Sequence, residues 1–120
     1  MSKPKKIMML ASLGLASLAF AAAGAAKLAG VEAVHTSFAT MGLPVWFGYF
    51  VGLCELAGAI GIWLRRTRSF ASAGLFIIML GAIYFHVVYE AIPNAIPAII
   101  LAVLTAFIFK TPTAESNGNA

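Results

Sequence analysis

Residues 44–64, PVWFGYFVGLCELAGAIGIWL, decide how the whole chain is read. The stretch is apolar enough to cross a bilayer and carries one carboxylate, Glu55, well inside it. A charge at the middle of a spanning helix costs roughly 2.5–3.5 kcal/mol on insertion scales. Such a residue is kept only if it is neutral, paired or wetted, so the rest of the sequence is read for what satisfies it. Gly48, Gly52, Glu55 and Ala59 recur at spacings of four, three and four, which puts them on one helical face. Gly48 and Gly52 form a GxxxG pair, which permits close approach of another helix. The carboxylate is therefore expected on a packing face.

Outward from this stretch, the composition points to lipid as the solvent. The 120 residues are 62% hydrophobic and only 10% charged, where soluble domains run about 45–50% apolar and about 25% charged. A single cysteine, Cys54, excludes an internal disulfide and a CxxC redox pair. The net charge of +4 comes from short basic clusters flanking apolar runs, which suits membrane orientation rather than nucleic-acid binding. No phosphate loop, nucleophile–base pair or metal-ligand spacing is present, so no metal site is expected.

Residues 7–29 predict a first spanning helix behind Lys3, Lys5 and Lys6. The small-residue sites around Ala21–Ala26 are also compatible with signal-peptide cleavage, but the apolar run exceeds the usual length of roughly 7–15 residues. Residues 30–42 carry Val31, Val34, Phe38 and Met41 at helical spacing and predict a short amphipathic helix at the interface, with Glu32 and His35 solvated. Arg65, Arg66 and Arg68 mark a turn in water, where Thr67 or Ser69 would cap a third spanning helix to residue 89. Asn94 is the expected cap of a fourth, residues 95–110, with Pro97 in its first turn. Residues 1–110 thus read as one all-α transmembrane domain, a four-transmembrane-helix bundle with a short interfacial helix between helices one and two. Residues 111–120 read as a disordered tail. The lysine and arginine bias places both termini on the cytoplasmic side of a multi-pass protein of the cell inner (plasma) membrane.

In that arrangement Lys27, Glu55 and His86 all fall in the outer half of the membrane. Lys27 shares a stripe with Phe20 and Gly24, and His86 with Met79, Ala82 and Glu90. The expectation is an inward-facing cluster of Lys27, Glu55 and His86, candidates for ligand binding or proton relay. Trp46, Tyr49, Tyr84 and Glu90 are expected at its rim. Gly24, Gly48, Gly52, Gly74 and Gly81 are the expected packing positions.

The pattern AFAAAGAAKLAG, MGLPVWFGYFVGLCELAGAIGIWLRR and AGLFIIMLGAIYFH resembles the DoxX-like family of small four-helix bacterial membrane proteins. The recurring marks of that family fall here on Gly24, Lys27, Leu28, Gly42, Pro44, Glu55, Met79, Ala82 and His86. The resemblance covers nearly all of the chain except the tail. It implies a redox setting, since the family is similar to subunits of thiosulfate:quinone oxidoreductase and to membrane partners of thiol and superoxide defence enzymes. Three roles then compete. The chain could be an accessory or quinone-site subunit of a membrane redox system, itself a non-catalytic subunit of an oxidoreductase beside a periplasmic or membrane redox enzyme. It could bind or carry a small hydrophobic molecule, as a homodimer. It could be a structural membrane assembly protein without catalysis. Quinone is the cofactor class that the first role would take. The lipid bilayer is the common partner of all three, and nucleic acid of none.

Overall fold

Residues 2–111 are described by a computed structural model, and they form an all-helical protein. The helices are α1 (Lys3–Leu28), α2 (Glu32–Thr40), α3 (Val45–Gly61), α4 (Arg68–Tyr89) and α5 (Ile96–Lys110), with one 3-10 turn (Ile92–Ala95) before α5. The expected tail lies outside the described residues except for Thr111. Around the bundle, α1 lies against α3, α3 against α4, α4 against α5, and α5 closes back on α1. α2 packs across one end, on α3 and α1; this is called the α2 end below, and the opposite one the arginine end.

α1, α4 and the segment Ile92–Lys110 are each long and apolar enough to cross a membrane. α2 and α3 pass the same length-and-composition test only when taken together, and they are bent by 118° at the break between them. α3 is shorter than the sequence suggests: it stops at Gly61, three residues before Leu64. The reason lies in the turn that follows. Thr67 Oγ1 donates to the Gly61 carbonyl at 2.7 Å, and Arg68 Nε donates to that of Ile62 at 2.7 Å. Side chains thus take the carbonyls that a longer helix would have used. Thr67 stands at the N-cap of α4 but makes no capping bond there; its hydroxyl closes the helix before it. Asn94 is likewise not the cap of α5. Ala95 holds that place, and the Asn94 amide reaches back to Glu90 Oε1 at 3.4 Å. Two prolines explain the change: Pro93 and Pro97 lack the N–H that a single continuous helix would need, so a 3-10 turn precedes α5.

The core runs along the bundle as Met9, Leu13, Ala16 and Phe20 of α1, Ala59 and Ile62 from the α3 side, Leu75 and Met79 of α4, and Ala98, Ala102 and Ile108 of α5. The α1 positions are spaced four, three and four, a single stripe. Buried hydroxyls bond within their own helices: Ser72 Oγ donates to the Arg68 carbonyl at 2.8 Å, and Thr105 Oγ1 to that of Leu101 at 2.9 Å. Large apolar side chains cover the outside, among them Leu18, Val45, Phe70 and Ile92. A helix bundle with an apolar exterior is one whose solvent is lipid.

Three glycines set the helix spacing. A Cβ on Gly24 would lie 2.7 Å from the Gly52 carbonyl oxygen, and one on Gly52 would lie 2.7 Å from Lys27 Cβ. α1 and α3 therefore touch backbone to backbone at Gly52, whereas Gly48, the other member of the GxxxG pair, admits His35 of α2. Gly58 makes room between α3 and α4 for a side chain, since a Cβ there would meet Leu75 Cγ at 2.7 Å. Gly74 and Gly81, expected on a face open to a second copy, do not set helix spacing within the chain. Nothing lies within 4 Å of a Cβ at either, so they pack on no neighbour within the chain. Both sit on exposed positions of α4, where the α3 and α5 contacts do not reach.

Candidate functional site

The site begins at the close contact of α1 and α3. A helical Cα–Cβ bond tilts toward its own N-terminus. Lys27 is the penultimate residue of α1, so its side chain is aimed back into the bundle. Glu55 stands on the antiparallel α3, so its side chain is aimed up toward the α2 end. The two directions converge. Lys27 Nζ lies 2.8 Å from Glu55 Oε1, with side-chain exposures of 13% and 1%. Gly52 makes the route, because its missing side chain is the space that Lys27 Cβ occupies.

Distance and alignment disagree at this contact. The ammonium is within ion-pair range, yet Oε1 has no aligned hydrogen-bond donor. The contact is best described as an ion pair held by proximity. Removing two ions from water costs several kcal/mol each, and only close pairing offsets it. Deleting either partner alone is therefore expected to be far more costly than deleting both.

His86 does not join the pair. Its Nδ1 contacts Glu90 Oε1 at 2.5 Å on the last turn of α4, with exposures of 29% and 38%. Asn94 also donates to that oxygen, at 3.4 Å. The hydrogen bond from His86 holds the Glu90 carboxyl below the usual range for glutamate. The spacing His86–Glu90 is i,i+4, which makes the local partner the easy one.

His35 takes the place expected of His86. The sequence reads it as solvated, but its Nε2 lies 2.8 Å from the Lys27 backbone carbonyl. With the Nε2–H donating there, the ring caps the end of α1. The ring also stacks on Tyr49, centroids 4.4 Å apart at 33°. Gly48 admits it: a Cβ on Gly48 would come within 2.5 Å of His35 Nδ1. The face of α3 thus serves three successive tenants, with His35 at Gly48, Lys27 at Gly52 and the ammonium at Glu55. No sequence signal marked this, because it depends on the height at which α1 meets α3. α1 ends near Leu28, too early to cover Gly48, and a side chain of the following connector fills that gap.

Two clefts flank α2. One, of about 440 Å3, is lined by His35, Thr36, Phe38, Pro44, Val45 and Tyr49 among others. The other, of about 550 Å3, lies between α2 and α4 and is lined by Glu32, Thr36, Thr40, Phe85, Tyr89 and Glu90 among others. Of the expected rim residues, Tyr49 lines the first and Glu90 the second. Trp46 lies tilted against Phe47 and edge-on to Phe50, and Tyr84 edges Tyr89; neither lines either cleft. Lys27 and Glu55 line neither cleft either. Among the described residues no group of three or more histidine, cysteine or acidic side chains could hold a metal.

An all-helical bundle with an apolar exterior, several membrane-crossing helices and one buried ion pair defines a multi-pass membrane protein. Its family follows from comparison: the DoxX-like family model matches residues 11–108, and the chain belongs to that family. No curated protein and no solved structure matches it.

Proposed function

We propose that the chain is an accessory subunit of a membrane redox system, and that it holds a lipid-soluble molecule with a hydrogen-bonding head, a quinone, in the cleft between α2 and α3. The observation that carries this reading is the His35–Tyr49 stack at a cleft whose other walls, Phe38, Pro44 and Val45, are apolar. A flat ring with polar ends asks for an apolar slot and a few polar groups. Tyr49 and Thr36 supply hydroxyls, which donate to carbonyls and accept from a quinol. The quinone, when bound, would supply the two-electron chemistry; the residues of this chain would bind and orient it. The bundle lies in an inner membrane with both termini cytoplasmic, so this cleft opens on the outer side, next to a periplasmic or membrane redox enzyme.

Titration of the detergent-solubilised protein with a short-chain quinone, followed by tryptophan fluorescence, tests the reading. Saturable quenching is expected, with affinity falling on the order of tenfold in Tyr49→Ala, the loss that about 1.4 kcal/mol of contact represents. Quenching that does not saturate, or that ignores Tyr49→Ala, rejects it.

A second reading is favoured by the sealed position of the ion pair. Lys27 and Glu55 reach neither cleft, which suits a lock that registers α1 against α3 without chemistry. In that case the double variant Lys27→Met, Glu55→Leu, which removes both charges, would keep the fold and the cellular phenotype.

A further inference from the structure

We propose that α2 is a gate over the Lys27–Glu55 pair and that His35 is the positioning residue that latches it. The inference rests on the geometry of α2 and holds whether or not a quinone is bound. α2 buries no residue completely. It is tied to the chain on both sides by glycines in the left-handed region, Gly30 at φ 78° and Gly42 at φ 77°. Each ends a helix in the same way. The Gly30 and Val31 amides donate back to the Lys27 and Ala26 carbonyls, and those of Gly42 and Leu43 to Ala39 and Phe38. The element between these two stops is a short helix, clefts on both sides, held down by few contacts.

The strongest of those contacts converge on His35. Its Nε2–H donates to Lys27, its ring fills the notch at Gly48, and it stacks on Tyr49. Phe38 adds an edge contact to Phe47, centroids 5.6 Å apart. The residue that receives the latch by its carbonyl is the same residue that holds Glu55 by its ammonium. Release of His35 therefore frees the end of α1 that carries Lys27 and empties the notch at Gly48, one turn of α3 from the contact of Lys27 with Gly52. Short helices with low local packing are the segments that open first.

Lys27 itself reports the gate. The purified protein in detergent is treated with a small water-soluble acetylating reagent, and the rate at Lys27 is read by mass spectrometry relative to exposed Lys5 and Lys6. His35→Ala is expected to raise the Lys27 rate on the order of tenfold, the factor that loss of about one hydrogen bond converts to. Gly48→Ala keeps the imidazole but closes its notch, and is expected to act in the same direction. His35→Gln, which keeps a donor, should fall between His35→Ala and wild type. Backbone hydrogen exchange on the same samples should quicken over residues 32–40 and stay unchanged in α1 and α4. Unchanged acetylation of Lys27 in His35→Ala and Gly48→Ala overturns the proposal. So does acceleration accompanied by faster exchange throughout α1 and α4, which would mean that the bundle rather than the gate had opened. Neither outcome bears on quinone affinity, which Tyr49→Ala tests separately.

Discussion

At the scale of single residues, the protein turns on a lysine and a glutamate that lie 2.8 Å apart, the glutamate fully out of reach of solvent. Lys27→Met leaves a buried carboxylate without a counter-ion and is expected to cost about 3–5 kcal/mol, by analogy with broken buried pairs. The double variant Lys27→Met, Glu55→Leu removes both charges and should recover most of that loss. Denaturation in mixed micelles measures both, and a double variant no more stable than Lys27→Met would contradict the pairing. The second acid–base contact is weaker and differently placed. Glu90 is exposed at the end of α4, and the hydrogen bond from His86 lowers its carboxyl from the ordinary range. A carboxyl held low in the folded state adds stability above its unfolded value of about 4.3, and that stability fades as pH falls through the lower folded value. Glu90→Gln should therefore flatten the stability profile below about pH 4.3 and leave neutral pH nearly unchanged. A profile identical to wild type would show that the contact is idle.

At the scale of elements, glycine decides which helices touch. Gly24→Ala and Gly52→Ala each place a methyl about where a backbone or a lysine Cβ already stands, 2.7 Å away. Each is expected to push α1 from α3 and cost about 1–3 kcal/mol. Gly74→Ala and Gly81→Ala meet open space; as exposed helical positions they should be neutral or gain roughly 0.5–1 kcal/mol. The same denaturation assay ranks all four, and a costly Gly74→Ala or Gly81→Ala would reveal that a second copy covers that face of α4. The homodimer expected from the sequence is thereby open to direct measurement.

At the scale of the whole molecule, span length is the controlling quantity. α3 has 17 residues, hence ~25 Å of helix, against a hydrocarbon core of about 30 Å. A short span is accommodated by local thinning at fractions of a kcal/mol per Å. Stability is expected to be highest in bilayers of shorter acyl chains, measured by unfolding across a series of phosphatidylcholine lengths. A maximum in thick bilayers would mean that α3 does not cross alone.

Much of this was written in the order of the residues. Apolar runs broken by charge set the helices, since lipid leaves the backbone no other way to satisfy its polar groups. Spacing along α3 put Glu55 on the same face as Gly48 and Gly52, and spacing along α1 put Lys27 below Gly24; both are faces that pack. Periodicity reports direction around a helix and says nothing about height against a neighbour or about a connector folding back. His86 points along a suitable stripe, yet it stands at an end of α4 where Glu90 is a nearer partner. His35, in a segment that reads as solvated, is brought to Lys27 because α1 stops short of Gly48 and α2 turns over the gap. The face of each charged side chain was thus a property of sequence, and the identity of the third member was decided by tertiary structure, because only packing sets which ends of which helices meet.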